Sequence, residues 1–174
     1  ALRASGHQSE VSARTGLVLD PYFSGTKIRW LLDQDADLLR RAEAGELAVG
    51  TVDTWLVARL TNGAVHATDP TNASRTMLFH LRDAAWDPWL ADLLGVPSVL
   101  LPEIRPSSGD FGLAAGEHLG ITAPICGIAG DQQAALFGQG CWDVGLAKNT
   151  YGTGAFLLMN TGQTPVPSHH GLLT

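Results

Sequence analysis

The sequence predicts a mixed α/β fold, and three observations carry that prediction. Up to about residue 106, apolar residues recur at helical spacing between capping signals. Beyond it, apolar segments of strand type alternate with glycine-rich turns. Thirteen of the 20 glycines lie from Gly109 onward, so the texture changes along the chain. A helical bundle would lack those turns and a sandwich would lack the helices.

The elements follow in order. Residues 1–15 are polar and small, as in an exposed helix and its exit. Leu17, Val18 and Leu19 form a short apolar run that Asp20-Pro21 breaks. Ser24 is a candidate N-cap for a helix over residues 26–33, with Ile28, Leu31 and Leu32 on one face. A second helix is expected over residues 35–44, with Leu38, Leu39 and Ala42 inward and Gly45 as its stop. Residues 47–51 read as a short strand. Asp53 or Thr54 then caps a helix over residues 55–60, and Asn62-Gly63 turns the chain. Residues 68–75 are rich in Thr, Asn and Ser. Asp87-Pro88 starts a helix that ends near Gly95. Strands are expected over residues 124–129, 146–150 and 155–159, with a helix over residues 132–139. Thr164-Pro165-Val166-Pro167 reads as a loop.

The chain has 174 residues, enough for one domain or parts of two, and 45% are apolar. Its net charge of −6, without a basic stripe, argues against nucleic acid and against an anionic membrane surface. No apolar run reaches the length of a membrane span. Two cysteines, Cys126 and Cys141, cannot form a disulfide scaffold, which points to a reducing cytosol, and both are expected to be buried. The five tryptophans are expected in the core. The chain opens on Ala1 without the pattern of a secretory leader and stops at Gly171-Leu172-Leu173-Thr174, so it is expected to be an internal piece of a longer protein.

The most informative chemical feature is a charge desert. Between His118 and Trp142 the single formally charged residue is Asp131. It follows an apolar strand through Gly130 and opens a helix, the position at which a cleft forms in α/β folds. A carboxylate there suits a general base within reach of a substrate hydroxyl. It equally suits an N-cap whose task ends at the helix amides. A second feature is Asn149-Thr150-Tyr151-Gly152-Thr153-Gly154, a tight turn between two apolar strands. Its amides and hydroxyl could face a phosphate, and a plain hairpin is the simpler reading. Neither a P-loop nor a full dinucleotide fingerprint is present. The histidines are scattered or paired in a loop, and no protein metal site is assigned.

Several blocks together resemble the FGGY carbohydrate kinases. They are Asp20-Pro21-Tyr22-Phe23-Ser24-Gly25-Thr26-Lys27, Gly50-Thr51-Val52-Asp53-Thr54-Trp55-Leu56, Thr68-Asp69-Pro70-Thr71-Asn72-Ala73-Ser74-Arg75-Thr76, Leu101-Pro102-Glu103, residues 127–138, and Ala147-Lys148 running into the turn above. The narrowest resemblance is to members that phosphorylate glycerol. It implies an actin-like, ribonuclease H-like ATPase fold. Residues 1–138 would be the later part of the first, glycerol-binding domain, and residues 139–174 the start of the second, ATP-binding one. It also implies transfer of a phosphoryl group from ATP, with Mg²⁺ bound through the ATP phosphates, to glycerol by a cytoplasmic homo-oligomer; the alternatives are a kinase for another polyol or sugar such as xylulose, or a non-catalytic actin-like nucleotide-binding module. By the same resemblance Asp131 is the catalytic base. Tyr22 and Gln132 hydrogen-bond glycerol hydroxyls, and Phe156 lies against its carbons. Thr153, with Gly152 and Gly154, touches the ATP phosphates. The isolated chain is expected to be inactive. Residues 116–123 hold no arginine where the resemblance implies a sugar-bisphosphate regulatory loop, so that regulation is not expected.

Overall fold

The computed structural model describes residue 2 and residues 4–174; Ala1 and Arg3 lie outside the described residues. Its helices are α1 (Gln8–Thr15), α2 (Ser24–Gln34), α3 (Ala36–Glu43), α4 (Val52–Leu60), α5 (Pro70–Ala73), α6 (Pro88–Leu94), α7 (Gly116–Leu119) and α8 (Asp131–Gly138). Its strands are β1 (Ala67–Thr68), β2 (Phe79–His80), β3 (Ala85–Trp86), β4 (Glu103–Ile104), β5 (Leu113–Ala114), β6 (Ala123–Pro124), β7 (Ala147–Tyr151) and β8 (Ala155–Met159). They pair two by two: β1 with β4 in parallel, and β2–β3, β5–β6 and β7–β8 antiparallel. The connection from β1 to β4 runs through α5, the β2–β3 hairpin and α6. Among the described residues no helix is long and apolar enough to cross a membrane.

Two apolar clusters hold these elements. The larger joins α1, α2, α3 and α6 through Val11, Leu32, Ala42, Leu90 and Leu94 around Leu17, Phe23, Met77 and Leu78. Gly25 is where α2 comes closest to its neighbours: a Cβ there would lie 2.6 Å from the Leu94 side chain and 3.0 Å from the Thr76 carbonyl. The Gly25 amide instead donates to that carbonyl at 2.8 Å. The smaller cluster of Val57, Ala67 and Phe111 is flanked by Ile125 and Ile128, which hold the chain that leads into α8.

Local signals place several elements where the pattern predicts. In α6 the Asp87 carboxylate accepts from the Trp89 and Leu90 amides, Pro88 follows it, and Gly95 closes the helix at φ 61°. In α3 the Asp35 side chain caps Asp37. Elsewhere the structure corrects the expectation. Ser24 is already inside α2, whose N-cap is Phe23 without a side-chain hydrogen bond. Helix α4 starts at Val52, earlier than expected, with Thr51 as its N-cap. Residues 47–51 form no strand, because Val49 bonds Leu100 on one side and the His66 ring on the other, not a single partner. The strand expected over residues 124–129 is broken. Its register slips between Leu113↔Pro124 and the isolated bridge Ser108↔Gly127. The Ile125 amide donates to the Gly112 carbonyl while its own carbonyl accepts from Phe111. Two residues thus oppose one in a bulge, and Gly112 supplies the needed φ of 90°. Trp30, Trp55 and Trp142 are exposed, not core, and so is Cys126, while Cys141 is buried.

Two buried carboxylates tie this fold to pH. Burial pushes the Asp69 carboxyl up, but hydrogen bonds from Ser107, Thr71 and Asn72 outweigh it and leave it below its ordinary 3.8. Asp87 behaves alike, held down against burial by Arg14 and the Leu90 and Trp89 amides. A carboxyl whose folded value is depressed adds stability above its unfolded value, and that stability is lost as pH falls through the folded value. Melting temperature is therefore expected to hold steady between about pH 5 and 7 on account of these groups and to fall below about pH 4. A pH series of thermal melts checks this, and an Asp87→Asn variant should flatten the acid limb.

Candidate functional site

The site is built around the start of α8. Asp131 is its first residue, yet Gly130 is the N-cap and no side chain caps the helix. The carboxylate is exposed, and among the described residues its one hydrogen bond is from Gln132 Nε2 at 3.0 Å. The capping role that the sequence left open is therefore not what this carboxylate performs. It stands at a helix N-terminus, where exposed amides favour an anion.

Gly130 is held from behind. Its amide donates to Thr71 Oγ1 at 2.7 Å, and that hydroxyl donates to Asp69 Oδ2 at 2.7 Å. Asp69 is 0% exposed and also accepts from Ser107 Oγ at 2.6 Å and from both nitrogens of Asn72. A carboxylate can only accept, so it commits the Thr71 proton and leaves a Thr71 lone pair for Gly130. The residue before Asp131 thus rests on a buried anion 38 residues away from Ser107 in the chain. Asp69 is not among the site residues expected from sequence. The signal was present, since Asp followed by Pro at the first helical position is a capping signature.

The other face of α8 meets the β7–β8 hairpin. Lys148 on β7 is 2% exposed and donates to Gln132 Oε1 and, at 2.8 Å, to Thr150 Oγ1. Thr150 pairs across the hairpin with Phe156, which is 41% exposed. The structure therefore links Asp131, Gln132 and Phe156 through Lys148 and Thr150. The hairpin loop is Gly152-Thr153-Gly154, all three exposed, closed by the Gly152 amide on the Gly154 carbonyl at 3.0 Å. The Thr153 hydroxyl makes no hydrogen bond among the described residues. A Cβ on Gly154 would lie 2.8 Å from the Phe156 ring, so this glycine lets the ring fold back over the loop.

Tyr22 comes from another element, the turn before α2. It is 68% exposed, and its carbonyl accepts from Lys27 Nζ at 2.8 Å. Among the described residues it makes no hydrogen bond or ring contact with Asp131, Gln132 or Phe156. Arg75, whose side chain donates to Ser74 and to the Thr174 carbonyl, lies between the two regions in sequence. Burial lowers the Arg75 guanidinium, and Ser74 lies just past α5, the helix that holds Gly130. No group of three or more His, Cys, Asp or Glu side chains that could hold a metal occurs among the described residues.

The profile of the N-terminal domain of the FGGY family of carbohydrate kinases matches residues 1–138. The chain belongs to that family. Glycerol kinases from Shewanella piezotolerans and Thermus brockianus are 60% and 59% identical to it, over 99% and 100% of this chain and 35% of each relative. The chain thus spans about a third of the length of the curated relatives it matches. Among solved structures, a Plasmodium falciparum glycerol kinase with ADP superposes at a TM-score of 0.94 and 38% identity, covering 99% of this chain and 34% of that one. A xylulose kinase from Rhodospirillum rubrum shares the fold at a TM-score of 0.75 and 20% identity, over 90% of this chain and 32% of its own. The fold is the actin-like, ribonuclease H-like ATPase fold of FGGY kinases.

Proposed function

We propose that the longer protein containing this chain transfers the γ-phosphoryl group of ATP to glycerol. The observation that carries the reading is the Asp131 carboxylate, exposed at the head of α8, engaged by no helix amide, and faced by the Gln132 amide. The identity to glycerol kinases supports the choice of acceptor. In this reading Asp131 takes the proton of the terminal hydroxyl as its oxygen attacks the γ-phosphorus, and the bond to the ADP oxygen breaks. Gln132 Nε2 carries a second proton for an acceptor hydroxyl. Tyr22 binds another hydroxyl, and Phe156 covers the carbons. Thr153, between Gly152 and Gly154, offers its unengaged hydroxyl to the phosphates. Mg²⁺ arriving with ATP neutralises phosphate charge.

Residues 1–138 belong to the acceptor-binding domain in this reading, and residues 139–174 open the nucleotide-binding one. The protein works in the cytoplasm as a homo-oligomer. Residues 1–174 alone hold only part of the site and are inactive, since positioning both substrates supplies much of the rate.

The full-length protein with ATP and Mg²⁺ should form glycerol 3-phosphate faster than it phosphorylates xylulose or gluconate; the reverse order sinks the reading. Tyr22→Phe is expected to raise the glycerol KM by about two- to tenfold, the usual worth of one net hydrogen bond, and to leave the ATP KM unchanged. Steady-state kinetics with each substrate varied checks it.

A further inference from the structure

We propose that Lys148 is a positioning residue that sets the orientation of the Gln132 amide beside Asp131. The inference rests on the glycerol reading above for its kinetic consequence, but not for its structural core. Lys148 is a buried ammonium, 2% exposed, whose partners are both neutral: Gln132 Oε1 and Thr150 Oγ1. Among the described residues it forms no ion pair. A buried charge held only by neutral groups is costly, and replacing it by an apolar side chain would spare the fold that cost. Structure alone therefore does not call for a lysine here.

What the ammonium does follows from donor and acceptor chemistry. Lysine can only donate, and an ionised carboxylate can only accept. The Gln132 amide lies between the two, with Oε1 on Lys148 and Nε2 on Asp131 at 3.0 Å. Both neighbours demand the same one of the two amide orientations. The ammonium also draws electron density toward Oε1 and sharpens the Nε2 protons as donors. One of these protons is on Asp131, and the other is left for the acceptor. Without Lys148 the oxygen end loses its anchor, and the side chain is free to leave the carboxylate.

The lysine reaches Gln132 from outside the helix. It sits on β7, beyond the end of the region matched by the N-terminal-domain profile at residue 138, while Gln132 lies within that region. The orientation of an acceptor-binding group is therefore completed only when β7 packs on α8.

The test uses the full-length protein. Lys148→Met keeps the length of the side chain and removes its donors. It should raise the glycerol KM about tenfold, with the ATP KM within about twofold of wild type. In a Gln132→Ala background the same change should raise it no further, because its route is gone. Additive losses, or a lower melting temperature with wild-type KM, would overturn the proposal. Lys148→Gln serves if the methionine variant does not fold; it keeps a donor without the charge and should give a rise of several-fold, an unchanged KM counting against the idea. A second readout needs no substrate. The side-chain ¹⁵N amide signals of Gln132, assigned by Gln132→Ala, should move toward those of a free glutamine in the Lys148 variants. Signals that stay in place overturn the positioning role. Signals that move in an enzyme that ignores glycerol leave Lys148 as the positioner of Gln132 and reject the glycerol reading instead.

Discussion

Asp131→Asn in the full-length protein is expected to lower kcat by about 10²–10⁴ while the glycerol KM stays within about threefold. The asparagine has the same shape, and its carbonyl oxygen can still accept from Gln132 Nε2. What it lacks is a place for the hydroxyl proton. Because Gly130 is the N-cap and no side chain caps α8, the helix loses no cap by the change, only a charge favoured at its N-terminus, worth about 0.3–1 kcal/mol. Melting temperature should therefore stay within about 2 °C of wild type, within the range of a neutral surface substitution. Pre-steady-state measurement of phosphoryl transfer separates chemistry from release. Turnover near wild type would show that the carboxylate is a bystander.

Asp69→Ala is expected to be the most destabilising single change at the site, by about 3–4 kcal/mol. The carboxylate is wholly buried and accepts from Thr71, Asn72 and Ser107. Alanine strands those donors without water or partner, and each such group costs about 1–3 kcal/mol. Denaturant melts should record the loss directly. Thr71→Val is the milder change, since it keeps the volume and the buried anion and removes one hydroxyl, which donates to Asp69 and holds Gly130. It should cost about 1 kcal/mol of stability and lower kcat several-fold through a looser Asp131. An unchanged kcat in a folded Thr71→Val variant would confine Asp69 to a structural role.

Elements whose signals are local were legible. Helix α6 has its cap, its proline and its closing glycine within nine residues, from Asp87 to Gly95, so the pattern carries both ends. The β7–β8 hairpin lies about a glycine-bearing turn, within one residue of the two strands expected there. Elements that depend on distant partners were misread. Ser24 has the right chemistry for an N-cap, but Gly25 must lie against Thr76 and Leu94, and this sets the N-cap one residue earlier, at Phe23. The strand before Asp131 looks continuous in the apolar pattern and is interrupted because Gly112, on the opposite segment, adds a bulge. Trp30 and Trp55 lie on apolar helix stretches that face outward here.

The same division runs through the site. The charge desert singles out Asp131, and the turn singles out Gly152, Thr153 and Gly154, because a lone carboxylate and a pair of glycines are visible one residue at a time. By itself, then, the sequence determined the α/β class, the chain of family motifs and the groups able to carry chemistry. Folding decided which of them are held, and by what. Asp131 is free of its helix because Gly130 takes the cap, and Gly130 is fixed because Thr71 answers to Asp69. Gln132 is oriented because Lys148 is buried against it from another strand. Hydrogen bonds of this kind join residues 16, 38 and 59 positions apart. No local propensity encodes them, since their strength comes from exclusion of water, and that exists only once the chain has packed.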